Sequence, residues 1–160
     1  MRLRQLELKD AEYMLEWMHD DNVASNLGKD FRHMTIDNCK DFISSCATDK
    51  DNIHYAIVDD TDEYMGTISL KNINYTDKRA EFAISCRSKA IGKGFAKKAT
   101  EELFRIAHEE LMLDMLYLDV YDYNIRAQKM YEKVGFVRVE KPEFLTEEFD
   151  SRLLWYQILL

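Results

Sequence analysis

The residue types best suited to chemistry lie in one stretch, Arg87-Ser88-Lys89-Ala90-Ile91-Gly92-Lys93-Gly94-Phe95-Ala96-Lys97-Lys98, with five cations and no acid in a chain of net charge −8. A basic island in a self-repelling acidic protein points to an anionic partner at that spot. Lysines at a solvated helix start are the plainer alternative. The whole sequence has five glycines, and two stand here, where their backbone freedom has a use. A strand, a glycine loop and a helix start make an anion cradle, because the first N–H groups of the helix and its positive dipole end face the ligand. Three phosphate ligands compete. A Walker loop fails on the spacing of Gly92-Lys-Gly94. A dinucleotide fingerprint is poor, since Lys97 holds its third glycine position and five residues separate Cys86 from Gly92. The third is the pyrophosphate of coenzyme A.

The elements that must hold this loop can be read from periodicity. Arg2–Leu8 alternates as a first strand, and Asp10 is expected to cap a helix with Ala11, Met14, Leu15 and Met18 inward. Residues 20–33 read as irregular chain or a short helix. Thr35 caps a second helix with Ile36, Cys39, Ile43 and Ala47 inward. Ile53–Val58 and Tyr64–Leu70 form strands across the Asp59–Glu63 turn, and Arg79–Cys86 is a further strand. A long helix follows the glycine loop, with Ala96, Ala99, Leu103, Ile106 and Ala107 on one face. Met115–Tyr121 is a strand. Asn124 opens a helix carrying Ala127, Met130, Tyr131 and Val134 on one stripe, and Gly135 closes it. Phe136–Val139 and Leu153–Leu160 are the last strands. The order predicts one mixed α/β domain over residues 1–160, with antiparallel hairpins first and a βαβ crossover later.

Composition narrows the function classes. A length of 160 residues suffices for one core. The 46% hydrophobic and 32% charged mix excludes disorder and low complexity. Net acidity argues against a nucleic-acid partner. No apolar run approaches the ~20 residues of a membrane span, and the amino terminus lacks the apolar core of a secretory signal. Cys39, Cys46 and Cys86 are odd in number and form no CxxC, which favours reduced thiols and a cytoplasmic location. His19, His33, His54 and His108 lack ligand spacing, so no metal site is expected.

Two segments together resemble the GNAT superfamily of acyl-CoA-dependent N-acyltransferases, in particular its ribosomal-protein and amino-sugar acetyltransferase branch. Lys89-Ala90-Ile91-Gly92-Lys93-Gly94-Phe95-Ala96 is similar to that family's Arg/Gln-x-x-Gly-x-Gly/Ala signature, with lysine in the leading position, a point charge without the planar fork of arginine. Asn124-x-x-Ala127-x-x-x-Tyr131-Glu-Lys-Val-Gly135-Phe136 is similar to its Asn…Ala…Tyr-x-x-x-Gly-Phe segment. Leu6-Glu7 to Met18 and Ala80-Glu81-Phe82 add to the likeness, which spans nearly the whole chain. The resemblance implies a mostly antiparallel twisted sheet, splayed between its fourth and fifth strands and flanked by about four helices. It implies acetyl-CoA as cosubstrate. Backbone groups of Ile84, Ser85 and Cys86 would then meet the pantetheine arm, the amides of Ile91 to Ala96 the pyrophosphate, and Asn124 the pantetheine or thioester region.

The implied reaction is direct attack of a neutral amine on the thioester, with a backbone N–H stabilising the developing charge. Tyr131 is the candidate acid for the departing thiolate, since a phenol stays protonated at neutral pH. The alternative is that Tyr131, on the stripe of Ala127 and Met130, simply packs in the core. Glu81 is the candidate base. Alternation puts Glu81, Ala83 and Ser85 on one face of their strand and Phe82, Ile84 and Cys86 on the other. Glu81 could instead anchor a cationic substrate, pair with Arg79 or stand in solvent. The acceptor pocket would draw on Trp17, His19, Asp20, Asp21, Asn22, Asn26 and Phe31, with Asp119, Tyr121, Asp122 and Tyr123 opposite. Acids among aromatics suit a small amine, an amino sugar or a peptide amino terminus. His19 and His54 read as structural. A protein acceptor (a ribosomal-protein amino terminus or a lysine) and a non-catalytic acyl-CoA-binding module are the competing functions. A monomer or homodimer is expected, with no nucleic-acid or membrane partner.

Overall fold

A computed structural model describes residues 1–160. In chain order the elements are β1 (Arg2–Gln5), α1 (Ala11–Met18), α2 (Asp21–Ala24), α3 (Ile36–Cys46), β2 (Ile53–Val58), β3 (Tyr64–Asn74), β4 (Arg79–Cys86), α4 (Phe95–Arg105), β5 (Met115–Tyr121), α5 (Ile125–Val134), β6 (Val137–Val139) and β7 (Leu153–Leu159). All seven strands join one sheet in the order β1-β2-β3-β4-β5-β7-β6. Every neighbouring pair is antiparallel except β4 and β5, which the α4 crossover makes parallel. The mixed α/β sheet expected from the sequence is present, with five helices; the fifth is the four-residue α2, within the stretch read as irregular or briefly helical.

Each face of the sheet has its own core. On one face α4 and α5 cover Leu70, Phe82, Leu116, Leu118 and Tyr156. On the other, α1 to α3 pack Met14, Trp17, Cys39 and Ile43 onto Ala56, Val58 and Tyr64. The first is the α4/α5 face of the sheet, and the second its α1–α3 face. Thr35 caps α3 reciprocally. Its hydroxyl accepts from the Asn38 amide at 3.2 Å, and the Asn38 carboxamide accepts from the Thr35 amide at 2.9 Å.

Several boundaries differ from the sequence reading, each for a local reason. β1 stops at Gln5 because Leu8–Asp10 coils into a 3-10 turn. Asp10 therefore does not cap α1. Its carboxylate accepts from the Glu7 amide at 2.8 Å and takes a two-point contact from Arg4 at 2.8 and 2.9 Å. Arg4 also donates to Asp62 at 2.9 Å, in the turn after β2. Ala47 ends up exposed, since α3 ends one residue before it. β3 runs on to Asn74, and the helix after the glycine loop passes into a π-helical turn at Ile106–Glu110.

Asp10 is 1% exposed and is the charge that ties β1, α1 and the β2–β3 turn together. Removing one partner of a buried ion pair leaves the other charge desolvated and unpaired, which costs about 3–5 kcal/mol. Asp10→Ala should lower the unfolding free energy by about that amount in a denaturant titration. A change within about 0.5 kcal/mol would show the contact to be dispensable.

Candidate active site

The parallel ladder between β4 and β5 has three residue pairs, Arg79↔Met115, Ala80↔Leu116 and Glu81↔Tyr117. Beyond Glu81 the strands part. β4 continues to Cys86 paired only with β3, and β5 continues to Tyr121 paired only with β7. The β5-side main-chain groups of Phe82–Cys86 thus have no ladder partner, and an edge of this kind needs hydrogen bonds from elsewhere. A cavity of about 470 Å³ opens at the gap.

Its walls join the segments singled out in the sequence. β4 contributes Ile84, Ser85 and Cys86; the glycine loop and start of α4 contribute Ala90, Ile91, Gly92, Gly94 and Ala96; α5 and its cap contribute Asn124, Ala127 and Tyr131. Lys89, Lys93, Phe95 and Glu81 do not line it. Lys89 turns to Glu63 at 2.6 Å, and Lys93 and Phe95 line a smaller cleft beside Asp59 and Asp60.

The loop has the form of an anion cradle. Gly92 and Gly94 have φ of +77° and +83°, and a Cβ at either would meet nothing within 4 Å. Backbone conformation, not crowding, requires glycine there. Gly94 is the N-cap of α4, whose first turn holds no acid. The amides of Phe95, Ala96 and Lys97 find no acceptor within the chain, the first intrahelical bond from this loop being Lys98 N–H to the Gly94 carbonyl at 3.2 Å. Three orphan donors at the positive end of a helix dipole face open space.

Charge on the cavity is distributed differently from the sequence reading. Arg87 is buried and faces away, donating to Glu16, to Glu63 at 2.9 Å and to the Tyr64 carbonyl at 2.8 Å, with its guanidinium 4.1 Å from the Tyr13 ring centroid. Lys97 lines the cavity and pairs with Glu101 at 3.2 Å. The remaining cations come from α5: Arg126, Lys129 and Lys133 line the cavity and form no ion pair. Their i, i+3, i+7 spacing puts them on one helical face, a signal overlooked in favour of the apolar stripe of the same helix. Together they add positive potential to a site built from neutral amides.

Tyr131 closes the cavity on the α4/α5 face. Its ring packs edge-on against Phe82 and Phe136, with centroids 5.9 and 5.8 Å away. The hydroxyl has no partner within the chain, yet no fully buried side-chain oxygen is left unpaired, so this one opens into the cavity. Burial, then the nearby Cys86 and Asp119, raises the phenol well above its ordinary value, and it stays protonated at neutral pH. The Cys86 thiol is likewise pushed up to about 12 by burial. Asn124 caps α5 with its carboxamide oxygen, which accepts from the Ala127 amide at 3.4 Å, leaving its NH₂ free toward the cavity.

On the α1–α3 face of the gap stand two carboxylates. Glu81 accepts from the Asn72 amide group at 3.2 Å and lies 3.5 Å from the Lys71 ammonium. Arg79 pairs instead with Asp77 and stacks 3.7 Å over Phe144. Asp119 lies two residues beyond Tyr117 on β5, half-buried, with no hydrogen bond or ion pair. Burial, then the like charge of Glu81, pushes its carboxyl up to about 6. Tyr121 and Tyr123 stack at 5.1 Å, and Tyr123 donates to the Ser25 carbonyl.

Others in the expected acceptor set have structural partners. Trp17 is buried and donates to the Tyr64 hydroxyl at 3.0 Å, Phe31 packs on its ring, His19 bonds the Met34 carbonyl, and Asp20 caps α2. His54 shares a hydrogen bond with Ser69 beneath Phe42. Asn26, with Val23 and Leu27, roofs the cavity.

A sheet that opens between two parallel strands, with an amide cradle and a protonated phenol bordering the gap, has the form of a site for a phosphate-bearing acyl carrier. The acetyltransferase (GNAT) domain model matches residues 1–137, and the chain belongs to that family. It is 27% identical over 149 residues to the spermidine N(1)-acetyltransferase of Vibrio cholerae, covering 93% of this chain and 84% of that protein. It is 30% identical over 138 residues to the spermidine N(1)-acetyltransferase of Escherichia coli K12, covering 85% and 72% respectively. The crystal structure of the Vibrio cholerae spermidine N-acetyltransferase in complex with CoA and spermine superposes with a TM-score of 0.84 at 26% identity, over 99% of this chain and 94% of that one. The chain is thus an acetyl-CoA-dependent N-acetyltransferase acting on amines. No helix is long and apolar enough to cross a membrane.

Gly92→Val adds bulk where the orphan amides face open space and forces a β-branched residue to positive φ. Acetyl-CoA affinity should fall at least about tenfold in a calorimetric titration while the far-UV spectrum is kept. Unaltered affinity would remove the loop from the cosubstrate site.

Proposed function

We propose that this chain transfers the acetyl group of acetyl-CoA directly to a primary amine of a polyamine such as spermidine, both substrates being bound together. The observation that carries the reading is the arrangement around the β4–β5 gap, with a free protonated phenol on one face and acids among aromatic rings on the other. The residues present fit acetyl-CoA. The Phe95–Lys97 amides and glycine loop suit a diphosphate, and Lys97, Arg126, Lys129 and Lys133 supply countercharge. The unpaired edge of Ile84–Cys86 suits the amide-bearing pantetheine arm, and the free NH₂ of Asn124 a carbonyl beside it.

Acetyl-CoA supplies the activated acyl carbon, and the protein supplies position and protons. Tyr131 gives its proton to the departing sulfur. Cys86 is the one cysteine lining the cavity. With its thiol held protonated it is a poor acyl carrier, which favours direct transfer over a covalent relay. The acceptor side suits a cation: Glu81 offers an anchoring charge, and Asp119 sits on β5 between Tyr117 and Tyr121, on the same face. That acidic, aromatic surface and the names of the relatives favour a polyamine over an amino sugar or a peptide. The three free cysteines suit the reducing cytoplasm.

Thiol release from acetyl-CoA, measured with spermidine, amino sugars and peptides, tests the acceptor. Spermidine should give the highest kcat/KM, and initial-rate plots should intersect; parallel lines would mean an acyl-enzyme relay. Tyr131→Phe should lower kcat by about a hundredfold and leave acetyl-CoA affinity within about twofold. An unchanged rate would take the phenol out of the mechanism.

A further inference from the structure

Of the two carboxylates at the gap, Glu81 is already satisfied. Its carboxylate accepts from the Asn72 side chain and lies beside the Lys71 ammonium. Asp119 is the opposite case. It sits on β5 just past the last parallel pair, where the neighbouring strand has moved away, and no group of the protein donates to it. A half-buried carboxylate without a partner is costly, and the missing partner belongs to something that binds.

The groups facing Asp119 are few. Glu81 and Lys71 act on it from β4 and β3. Tyr117 and Tyr121 flank it on β5, and Tyr131 lies across the gap within its electrostatic reach. From β7 its partner is Trp155, which is uncharged and packed on Phe149. Arg152 is occupied by Asp150 at 2.7 Å and by the Tyr121 ring. No cation forms an ion pair with Asp119.

We infer that Asp119 is the catalytic proton acceptor for the attacking amine, acting from the α1–α3 face of the gap while Tyr131 acts from the other. This rests on the acetyl-transfer reading above. The neutral amine nitrogen forms its bond to the acyl carbon and passes a proton to the Asp119 carboxylate. The carbon–sulfur bond breaks, and the sulfur takes the Tyr131 proton. Asp119 then loses its proton to solvent and Tyr131 regains one, so the protein returns to its starting state. A carboxyl raised toward neutrality is better matched to this duty than an ion-paired one, since it is charged above about pH 6 and still basic enough to accept.

The test is the pH dependence of thiol release with saturating spermidine and acetyl-CoA, from about pH 5 to about 9, for the wild type, Asp119→Asn and Glu81→Gln. The wild-type kcat should fall below an inflection near about 6. Asp119→Asn should lose that inflection and run at least about tenfold slower at neutral pH, with both KM values within about threefold. Its deficit should narrow as the pH rises, because hydroxide replaces the missing base. Glu81→Gln should keep the inflection but move it to lower pH, since a like charge beside Asp119 is gone. A deficit in Asp119→Asn that is constant with pH, a raised KM for spermidine alone, or an undisturbed rate would overturn the assignment and leave acetyl transfer standing. Failure of the wild type to release thiol with any amine would overturn the acetyl-transfer reading instead.

Discussion

The separation of β4 from β5 after three residue pairs is the constraint on which everything else depends. An internal strand edge left unpaired costs free energy unless something else supplies its hydrogen bonds. Here the cost falls on the facing edges of Phe82–Cys86 of β4 and Leu118–Tyr121 of β5, and each flanking element is arranged around the gap. The α4 crossover starts at one end of it and directs its free amides there. The α5 helix begins beside the other strand and lays Tyr131 across the opening. Had the ladder continued, Ala83 and Asp119 would be neighbours in a closed sheet, with no room for a substrate between them.

The opening survives because its surroundings are firmly tied. Phe82, Phe136 and Tyr156 all pack on the Tyr131 ring, so the phenol cannot swing away without breaking three aromatic contacts. At the opposite end of the sheet, Arg4 binds Asp10 and Asp62, and near the root of the glycine loop Arg87 joins Glu16 on α1 to Glu63 before β3. That second contact uses the only arginine of the basic island as a structural clamp. The loop that follows Arg87 therefore leaves a fixed point, and the ligand-facing positive charge is left to Lys97 and to α5.

Local pattern carried most of the fold. The bounds of β2, β4 and β5 agree with the sequence reading, because β-branched and aromatic runs bounded by turn residues mark a strand locally. The cap at Thr35 and the glycine after α5 were visible for the same reason, since their chemistry lies within four residues. What escaped was long-range. Nothing near Asp10 reveals that Arg4 will turn its carboxylate away from α1. Nothing near Arg87 shows that its partners lie 71 and 24 residues away. The stripe Arg126, Lys129 and Lys133 could have been read from spacing. Its orientation toward the glycine loop, however, depends on how α5 docks on the sheet, which is a tertiary fact. Asp119 was visible as one acid among several, and only the missing ladder beyond Tyr117 sets it apart.

Burial at the gap acts in the same direction on Tyr131, Cys86 and Asp119, and this bears on how the phenol would serve as the acid of the proposed reaction. Each pK unit corresponds to about 1.4 kcal/mol, so a phenol raised well above about 10 would be a poor donor to a thiolate of ordinary basicity near about 8.5. The departing sulfur is not in ordinary surroundings. A thiolate formed beside Cys86 and Tyr131 meets the same desolvation that pushes the Cys86 thiol up to about 12, and it gains basicity accordingly. Donor and acceptor shift together, and the difference between them, which governs transfer, stays small. Water in the cavity would undo the match by stabilising the thiolate alone. In the proposed reaction the apolar wall of Ile84, Ala127 and Met130, which lines the same cavity as Tyr131, would contribute to the chemistry as well as to packing.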